Sequence, residues 1–366
     1  MDAAVKAEGF PPGTLCFAGP DAPLGTDGYP RTFVLDAAGA AQIQHALPPD
    51  APAWQHAVAR LLEVWFDPSA ETLTWTTSGS TGPPTRIALP RAAIRASAAR
   101  TVAHFGLSPG SRVLLALPAE FTGGAMFLLR AVLHGLHVVA IAPRAQPLLP
   151  PGARFDFVAL TPHQAAAIRA DSSELGTVLL GGASAAPALA GPWPAGVRVF
   201  ESFGMTETLS HFALRRLIPD PEPAFTCLPG ATVAARDGAL VVTDTATGVT
   251  DLLTRDAATV LDAHHFIPLG RLDDVLNSGG VKVHPAAVEA ALADLIPEPF
   301  VVFGRPDPSL GVAVVLRIEA TADAARADRI LTAARERLPR HHAPRAIEWG
   351  RIERTGSGKV KRRFSV

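Results

Sequence analysis

Between Arg112 and Phe200, short apolar runs alternate with stretches of helical spacing, and this alternation restricts the fold more than any other feature of the chain. Arg112-Val113-Leu114-Leu115-Ala116-Leu117 reads as a buried strand, Ala125 to about His134 as a helix, and Val138-Val139-Ala140-Ile141 as the next strand. The pattern recurs in Phe155 to Leu160, Pro162 to Arg169, Thr177 to Leu180 and Val197 to Phe200. Strand, helix, strand is the parallel crossover unit, so the spacing predicts an α/β domain with a mostly parallel sheet. Ligands of such sheets bind beyond the carboxyl ends of the strands. Three segments become candidates: 76–85, 181–184 and 201–207.

The first has the strongest chemistry. Thr72-Leu73-Thr74-Trp75 alternates like a strand entering it and Ile87-Ala88-Leu89 leaves it. From Thr76 to Thr85 there are six hydroxyl side chains, two glycines and two prolines. Glycines let backbone N–H groups turn toward a ligand and hydroxyls add donors, a composition suited to phosphate oxygens. The segment is not G-x-x-x-x-G-K-[ST], and it does not fit G-x-G-x-x-G. An ordinary Ser/Gly turn remains the alternative on this evidence alone.

A chain of 366 residues exceeds the usual single core, and two domains are expected. Trp54 to Trp65 reads as a helix packed on the main domain, and Pro90 starts another to about Phe105, with Ile94, Ala98, Thr101, Val102 and Phe105 on one face. From Pro219 to His265, Pro/Gly-punctuated short strands suggest an antiparallel or barrel-like subdomain. Residues 275–366 read as a compact α+β unit, with the boundary at Arg271 to Asp274.

With 48% apolar and 18% charged residues and a formal net charge of −1, neither disorder nor a nucleic-acid surface is indicated. Phe121 to Pro143 is apolar, but Arg130, His134 and His137 interrupt it, so a buried helix and strand are expected and no membrane span. Cys16 and Cys227 have no metal or redox spacing, and the start has no signal pattern, which predicts a reduced, cytoplasmic protein. Only four of the 33 basic residues are lysines: Lys6, Lys282, Lys359 and Lys361.

At the sheet edge, Phe203 is suited to stack on a base, Thr206 to donate to a phosphate, and Glu207 to hold Mg²⁺, although a helix-starting carboxylate would look the same. Thr77-Ser78-Gly79-Ser80-Thr81-Gly82, Phe203-Gly204-Met205-Thr206-Glu207, Gly270-Arg271-Leu272-Asp273-Asp274 and Thr355-Gly356-Ser357-Gly358-Lys359 together resemble, in order, the core motifs of the adenylate-forming acyl-CoA synthetases. The resemblance implies a large N-terminal domain (residues 1–272) and a small mobile C-terminal domain (273–366) that turns at a hinge near Asp273. It also implies a two-step reaction with ATP, Mg²⁺ and coenzyme A: a carboxylate attacks the α-phosphate, then the thiol attacks the acyl adenylate.

By that resemblance Thr77 to Gly82 wraps the β- and γ-phosphates. Gly182, Ala183, Ser202 and Phe203 lie about the adenine, Thr206 contacts the α-phosphate and Glu207 holds Mg²⁺. Asp256 and Arg271 reach the ribose. Lys359 bridges carboxylate and α-phosphate, where a point charge lowers the repulsion between two anions. Gly279, Gly280 and Lys282 belong to the segment that serves the second step, with a plain hairpin turn as the alternative.

Ser202 to His211, Ala213 to Arg216 and Leu276 to Pro285 are similar to one branch, the o-succinylbenzoate:CoA ligases of menaquinone biosynthesis, particularly short forms. That implies a small-molecule dicarboxylate. Arg130, on a helical face with Gly123 and Phe127, is the candidate for the second carboxylate, since an arginine within an apolar helix is costly to bury without an anion. A salt bridge to a protein carboxylate is the alternative. Ser210 and His211 are further candidates for the acid pocket.

Three departures stand out: Thr85 replaces the family's usual lysine, Phe203 the commoner tyrosine, and Glu120 to Gly124 an aromatic-or-His gate. Another aryl or medium-chain acid, or a nucleotide-binding relative with impaired catalysis, are the competing readings. A homodimer is left open.

Overall fold

The structure, a computed structural model, describes residues 11–19, 31–76, 85–183, 185, 191–354, 360 and 362. The chain divides into two compact units: residues 1–181, 192–231 and 243–250 form the first, and 182–191, 232–242 and 251–366 the second. The predicted phosphate loop, Thr77 to Gly82, and Lys359 lie outside the described residues.

In the first unit the crossover pattern is realised. Its strands are β1 (Thr14–Phe17), β2 (Thr32–Val34), β5 (Arg112–Leu115), β6 (His137–Ala140), β7 (Phe155–Leu160), β8 (Leu175–Leu180), β9 (Arg198–Met205), β10 (Ser210–Ile218) and β11 (Phe225–Cys227), with a separate hairpin of β3 (Thr72–Thr76) and β4 (Arg86–Pro90). In the main sheet they run β11-β10-β9-β8-β7-β5-β6-β1-β2. Every neighbouring pair from β9 to β1 is parallel, and the pairs of β9 with β10, β10 with β11 and β1 with β2 are antiparallel. The hairpin is closed by Thr76 opposite Arg86, so strands do enter and leave the hydroxyl-rich segment.

The helices are α1 (Ala37–Ala46), α2 (Ala53–Phe66), α3 (Arg91–Phe105), α4 (Thr122–His134) and α5 (Pro162–Ile168). Pro90 occupies the N-cap of α3, and the predicted apolar face is buried, with Ile94 and Ala98 fully inaccessible. Phe105 packs on Phe157 (ring centroids 4.9 Å apart) and Phe127 stacks on the same ring at 5.7 Å. Truncating a core aromatic such as Phe157 to Ala would cost about 3–5 kcal/mol.

Three expectations need correction. The segment 201–207 is not a loop throughout, because β9 continues to Met205 and pairs with β10 along its length. The edges of Phe203 on Phe212 (5.9 Å) and Phe225 (5.5 Å) hold it in the sheet. Helix α4 starts at Thr122 rather than Ala125: Gly124 lies so close to the chain before it that a Cβ would stand 2.2 Å from the Pro118 carbonyl oxygen, so Gly124 serves packing. Finally, β1, β2 and α1 were not legible in the Ala/Pro-rich start, yet β1 extends the parallel sheet beside β6.

Strands β12 (Ala231–Arg236), β13 (Ala239–Asp244), β14 (Val249–Val260) and β15 (His265–Arg271), adjacent in that order, lie mostly in the second unit, while Ala231, Thr243, Asp244, Val249 and Thr250 belong to the first. A smaller sheet follows, ordered β17-β16-β19-β18, from β16 (Leu276–Ser278), β17 (Val281–Val283), β18 (Phe300–Asp307) and β19 (Gly311–Ile318), with β20 (Ala346–Trp349) parallel to β19. Helices α6 (Pro285–Leu292) and α7 (Ala324–Arg337) complete it. Val288, Leu292, Val302, Leu316 and Ile330 form its core. Among the described residues no helix is long and apolar enough to cross a membrane.

Candidate active site

Helix α3 places three polar side chains on its buried face: Ser97, Arg100 and Thr101. A polar group taken from water costs free energy unless it is bonded. All three find partners on or near β10. The Ser97 hydroxyl donates to the Leu209 carbonyl at 2.9 Å. Arg100 Nη1 donates to Asp244 Oδ2 at 2.8 Å and to the Pro229 carbonyl at 3.3 Å, and Nη2 donates to the His211 carbonyl at 3.3 Å.

Thr101 Oγ1 donates its single proton to the Ser97 carbonyl at 3.0 Å and lies 3.1 Å from His211 Nε2. The imidazole must then donate from Nε2, leaving Nδ1 as acceptor for the Ser210 hydroxyl at 3.4 Å. Burial holds the His211 imidazole well below its ordinary pKa, and Arg130, Arg100 and His104 push it the same way. His211 is neutral.

The turn before it is strained. Leu209 (φ 54°) and Ser210 (φ 81°) both occupy the left-handed region that non-glycine residues avoid. The Ser97 bond and the Thr208 hydroxyl, which accepts from Met205 N at 3.0 Å and donates to the Ser210 carbonyl at 2.8 Å, hold the conformation.

Arg130 lies in the middle of α4 and is 3% exposed. Its Nε and Nη2 have no hydrogen-bond partner among the described residues. Burial, with Arg100 as second cause, pushes the guanidinium pKa down to about 9. Asp244 pairs with Arg100 alone, so with His211 neutral the Arg130 charge has no paired carboxylate among the described residues. The alternative, a salt bridge between Arg130 and a protein carboxylate, does not occur among the described residues.

Thr206 follows β9 in a turn, and its Oγ1 is 2.9 Å from the hydroxyl of Thr122, the first residue of α4. One helix thus touches Thr206 at its start and carries Arg130 eight residues on, about 12 Å along the axis. Glu207 is half-buried in the same turn. Ser202 donates to the Leu180 carbonyl at 2.7 Å, tying β9 to β8. Thr85 is exposed just before β4.

In the second unit, Gly182 and Ala183 are exposed bends. Asp256 and Arg271 oppose one another on β14 and β15, with Arg271 Nη1 3.6 Å from Asp256 Oδ1. Asp273 accepts from Arg255 at 3.2 Å and lies 3.5 Å from Arg271. Gly279 and Gly280 make the two-residue turn between β16 and β17 at φ 59° and 81°, the pair of left-handed positions such a hairpin requires. Lys282 is exposed opposite Asn277.

The structure therefore groups Arg130, Ser210 and His211 in one part of the first unit, and Asp256, Arg271 and Asp273 in one part of the second. Sequence reasoning missed Ser97, Arg100, Thr101, Thr122 and Asp244. A signal existed for the first three, since they put polar groups at helical spacing beside an apolar face.

A mostly parallel sheet with crossover helices, and a second unit built on a small α+β sheet, is the architecture of the adenylate-forming ligases. The chain matches the AMP-binding enzyme family over residues 30–250. A probable 2-succinylbenzoate–CoA ligase of Mycobacterium tuberculosis (strain ATCC 25618 / H37Rv) is 33% identical over 279 residues, 66% of this chain and 69% of that protein. The crystal structure of an acyl-CoA synthetase (AMP-forming)/AMP-acid ligase II-like protein from Dyadobacter fermentans is 31% identical, with a TM-score of 0.55 over 88% of this chain and 95% of that one. The O-succinylbenzoate coenzyme A synthetase of Bacillus subtilis, solved with ATP and magnesium ion, shares the fold at 21% identity, with a TM-score of 0.64 over 79% of this chain and 68% of that one. The chain belongs to the AMP-binding enzyme family and is an AMP-forming acyl-CoA synthetase.

Proposed function

We propose that the acid is o-succinylbenzoate, activated as its acyl adenylate and transferred to coenzyme A in menaquinone biosynthesis. The observation that carries this reading is Arg130, a buried cation whose Nε and Nη2 have no hydrogen-bond partner among the described residues. An uncompensated buried charge is expensive, and a fixed ligand anion removes the penalty. A second carboxylate on the substrate is such an anion. The spacing on α4 fits a diacid, because side chains tilt toward the helix N-terminus and shorten the roughly 12 Å between Thr122 and Arg130. The name of the mycobacterial relative points the same way.

In the proposed reaction the reactive carboxylate oxygen attacks the α-phosphorus of ATP and pyrophosphate leaves. The coenzyme A sulfur then attacks the acyl carbon and AMP leaves. Thr77 to Gly82 would hold the leaving phosphates through backbone N–H groups and hydroxyls. Thr206, oriented by Thr122, would bond the α-phosphate, and Lys359 would neutralise charge between nucleophile and phosphorus.

Phe203 would supply an aromatic face for adenine, with Ser202, Gly182 and Ala183 around it, and Asp256 and Arg271 would serve the ribose. Mg²⁺ accompanying ATP needs only one or two carboxylates beside phosphate oxygens, which Glu207 fits, and it would neutralise phosphate charge. Asp273 would be the hinge of the 273–366 domain, and Gly279, Gly280 and Lys282 would line the approach of the thiol arm.

Pyrophosphate release measured with a panel of acids tests the substrate. Turnover with o-succinylbenzoate well above benzoate, medium-chain acids and hydroxycinnamates is expected. Strong activity with monocarboxylates and none with o-succinylbenzoate would assign another acid.

A further inference from the structure

Arg362, near the C-terminus, reaches the interior of the small α+β sheet of the second unit. Its Nη1 and Nη2 grip both carboxylate oxygens of Glu289 on α6, the second at 2.8 Å, and Nη1 also donates to the Val302 carbonyl at 3.0 Å. Nε lies 3.2 Å from Asp274 Oδ2. Glu289, 7% exposed, in turn accepts from Val302 N at 2.7 Å. Burial alone would depress the Arg362 pKa, but Glu289 and Asp274 hold the guanidinium above its ordinary value. A solvated basic tail has no use for a bidentate, buried fork, which arginine makes and lysine cannot.

Two residues earlier, Val360 pairs with Arg354 in an antiparallel bridge. Arg354 and Val360 are held together by the bridge, and Arg362 by the clasp. Lys359 adjoins the bridge and is three residues from the clasp, so covalent geometry keeps its Cα within about 11 Å of that of Arg362.

We infer that Arg362, clasped by Glu289 and Asp274, is a positioning residue for Lys359, fixing the backbone three residues beyond it. This rests on the proposed role of Lys359 in adenylation. Lysine is a point charge on a flexible stem, so its placement depends on its backbone. A displacement near 1 Å costs on the order of 100-fold in rate. The clasp supplies the rigidity.

The second half-reaction separates this role from a general contribution to stability, because Gly279, Gly280 and Lys282 belong to the same unit and serve the second step. Arg362→Ala and Glu289→Gln are compared with wild type for acid-dependent pyrophosphate release and for thioester formation from supplied acyl adenylate and coenzyme A. Thermal unfolding of each variant is recorded alongside. The substrate is o-succinylbenzoate or, if wild type does not use it, the best acid of the panel.

Adenylation kcat is expected to fall on the order of 100-fold in both variants, with the KM for ATP and thioester formation held within about threefold. Arg362→Lys should recover part of the loss. Unchanged adenylation in both variants, or equal losses in the two half-reactions, overturns the inference. Asp274→Asn, which removes only the outer contact, decides the matter if Arg362→Ala does not fold: a selective loss of adenylation supports the role, and an equal or absent loss removes it. Lys359→Ala is the control. If it keeps adenylation, the reading of Lys359 fails; if it loses adenylation while the clasp variants keep it, only the clasp inference fails.

Discussion

Arg100 and Asp244 form an ion pair at 2.8 Å in which neither side chain is more than 6% exposed. It neutralises Arg100 of α3 and leaves Arg130 of α4, also buried, without a carboxylate partner among the described residues. Asp244 is therefore the counter-ion that sets the charge balance around the proposed acid site.

Replacing Asp244 by Asn should leave a second buried guanidinium without its partner. Breaking such a pair from one side costs about 3–5 kcal/mol. Urea unfolding of Asp244→Asn should show a loss of that size with an unchanged m-value, whereas a loss below about 1 kcal/mol would mean that Arg100 is satisfied by its carbonyl acceptors alone.

For Arg130 the expectation runs the other way. Removing a buried cation that has no carboxylate partner among the described residues relieves a desolvation penalty, so Arg130→Met should stabilise the ligand-free protein by about 1 kcal/mol or more. The same variant should raise the KM for o-succinylbenzoate on the order of 100-fold while leaving the KM for ATP unchanged. A variant that is less stable, with an unaltered acid response, would place Arg130 in the scaffold instead.

The contrast between these two arginines explains what sequence reading reaches. Arg130 was legible because it interrupts a long apolar helix. Arg100 was not, because its charge is cancelled by Asp244, more than a hundred residues away and at the end of an apolar strand, a pairing that no local pattern encodes. The crossover core was legible for the same local reason as Arg130: apolar period and turn chemistry agree there. At Phe203 they conflict, since a segment rich in polar residues reads as loop while contacts with Phe212 and Phe225 hold it in β9. The strand β1 was hidden because Thr14–Phe17 has only four residues and joins the sheet through distant β6.

His211 predicts a pH dependence of stability. Its folded pKa lies well below the ordinary value of 6.5, chiefly through burial. Below 6.5 the unfolded chain takes up a proton at this residue that the folded chain refuses, so unfolding becomes easier as pH falls. The slope reaches about 1.4 kcal/mol per pH unit between 6.5 and the depressed folded pKa, and stability from this source is constant above 6.5. Arg130, Arg100 and His104 face the imidazole with like charge, and Asp244 reaches it only through Arg100. Denaturant unfolding between pH 5 and 8 should show the slope in wild type and a smaller one in His211→Gln; equal slopes would assign the effect to other groups.

The bond between Thr122 and Thr206 tests whether the start of α4 serves the reaction. Their hydroxyls are 2.9 Å apart. A hydroxyl aimed by a second hydroxyl keeps its rotamer, and an aimed donor stabilises charge that develops on phosphate oxygens better than a free rotor does. Thr122→Val keeps shape and helix start but removes the bond, so adenylation kcat should fall about tenfold with the fold intact, and Thr122→Ser should restore most of it. The loss should lie in kcat rather than in the KM for the acid, because the proposed contact of Arg130 with a distal carboxylate is left untouched. A rise confined to the acid KM would mean that Thr122 lines the acid pocket and leaves Thr206 to orient itself.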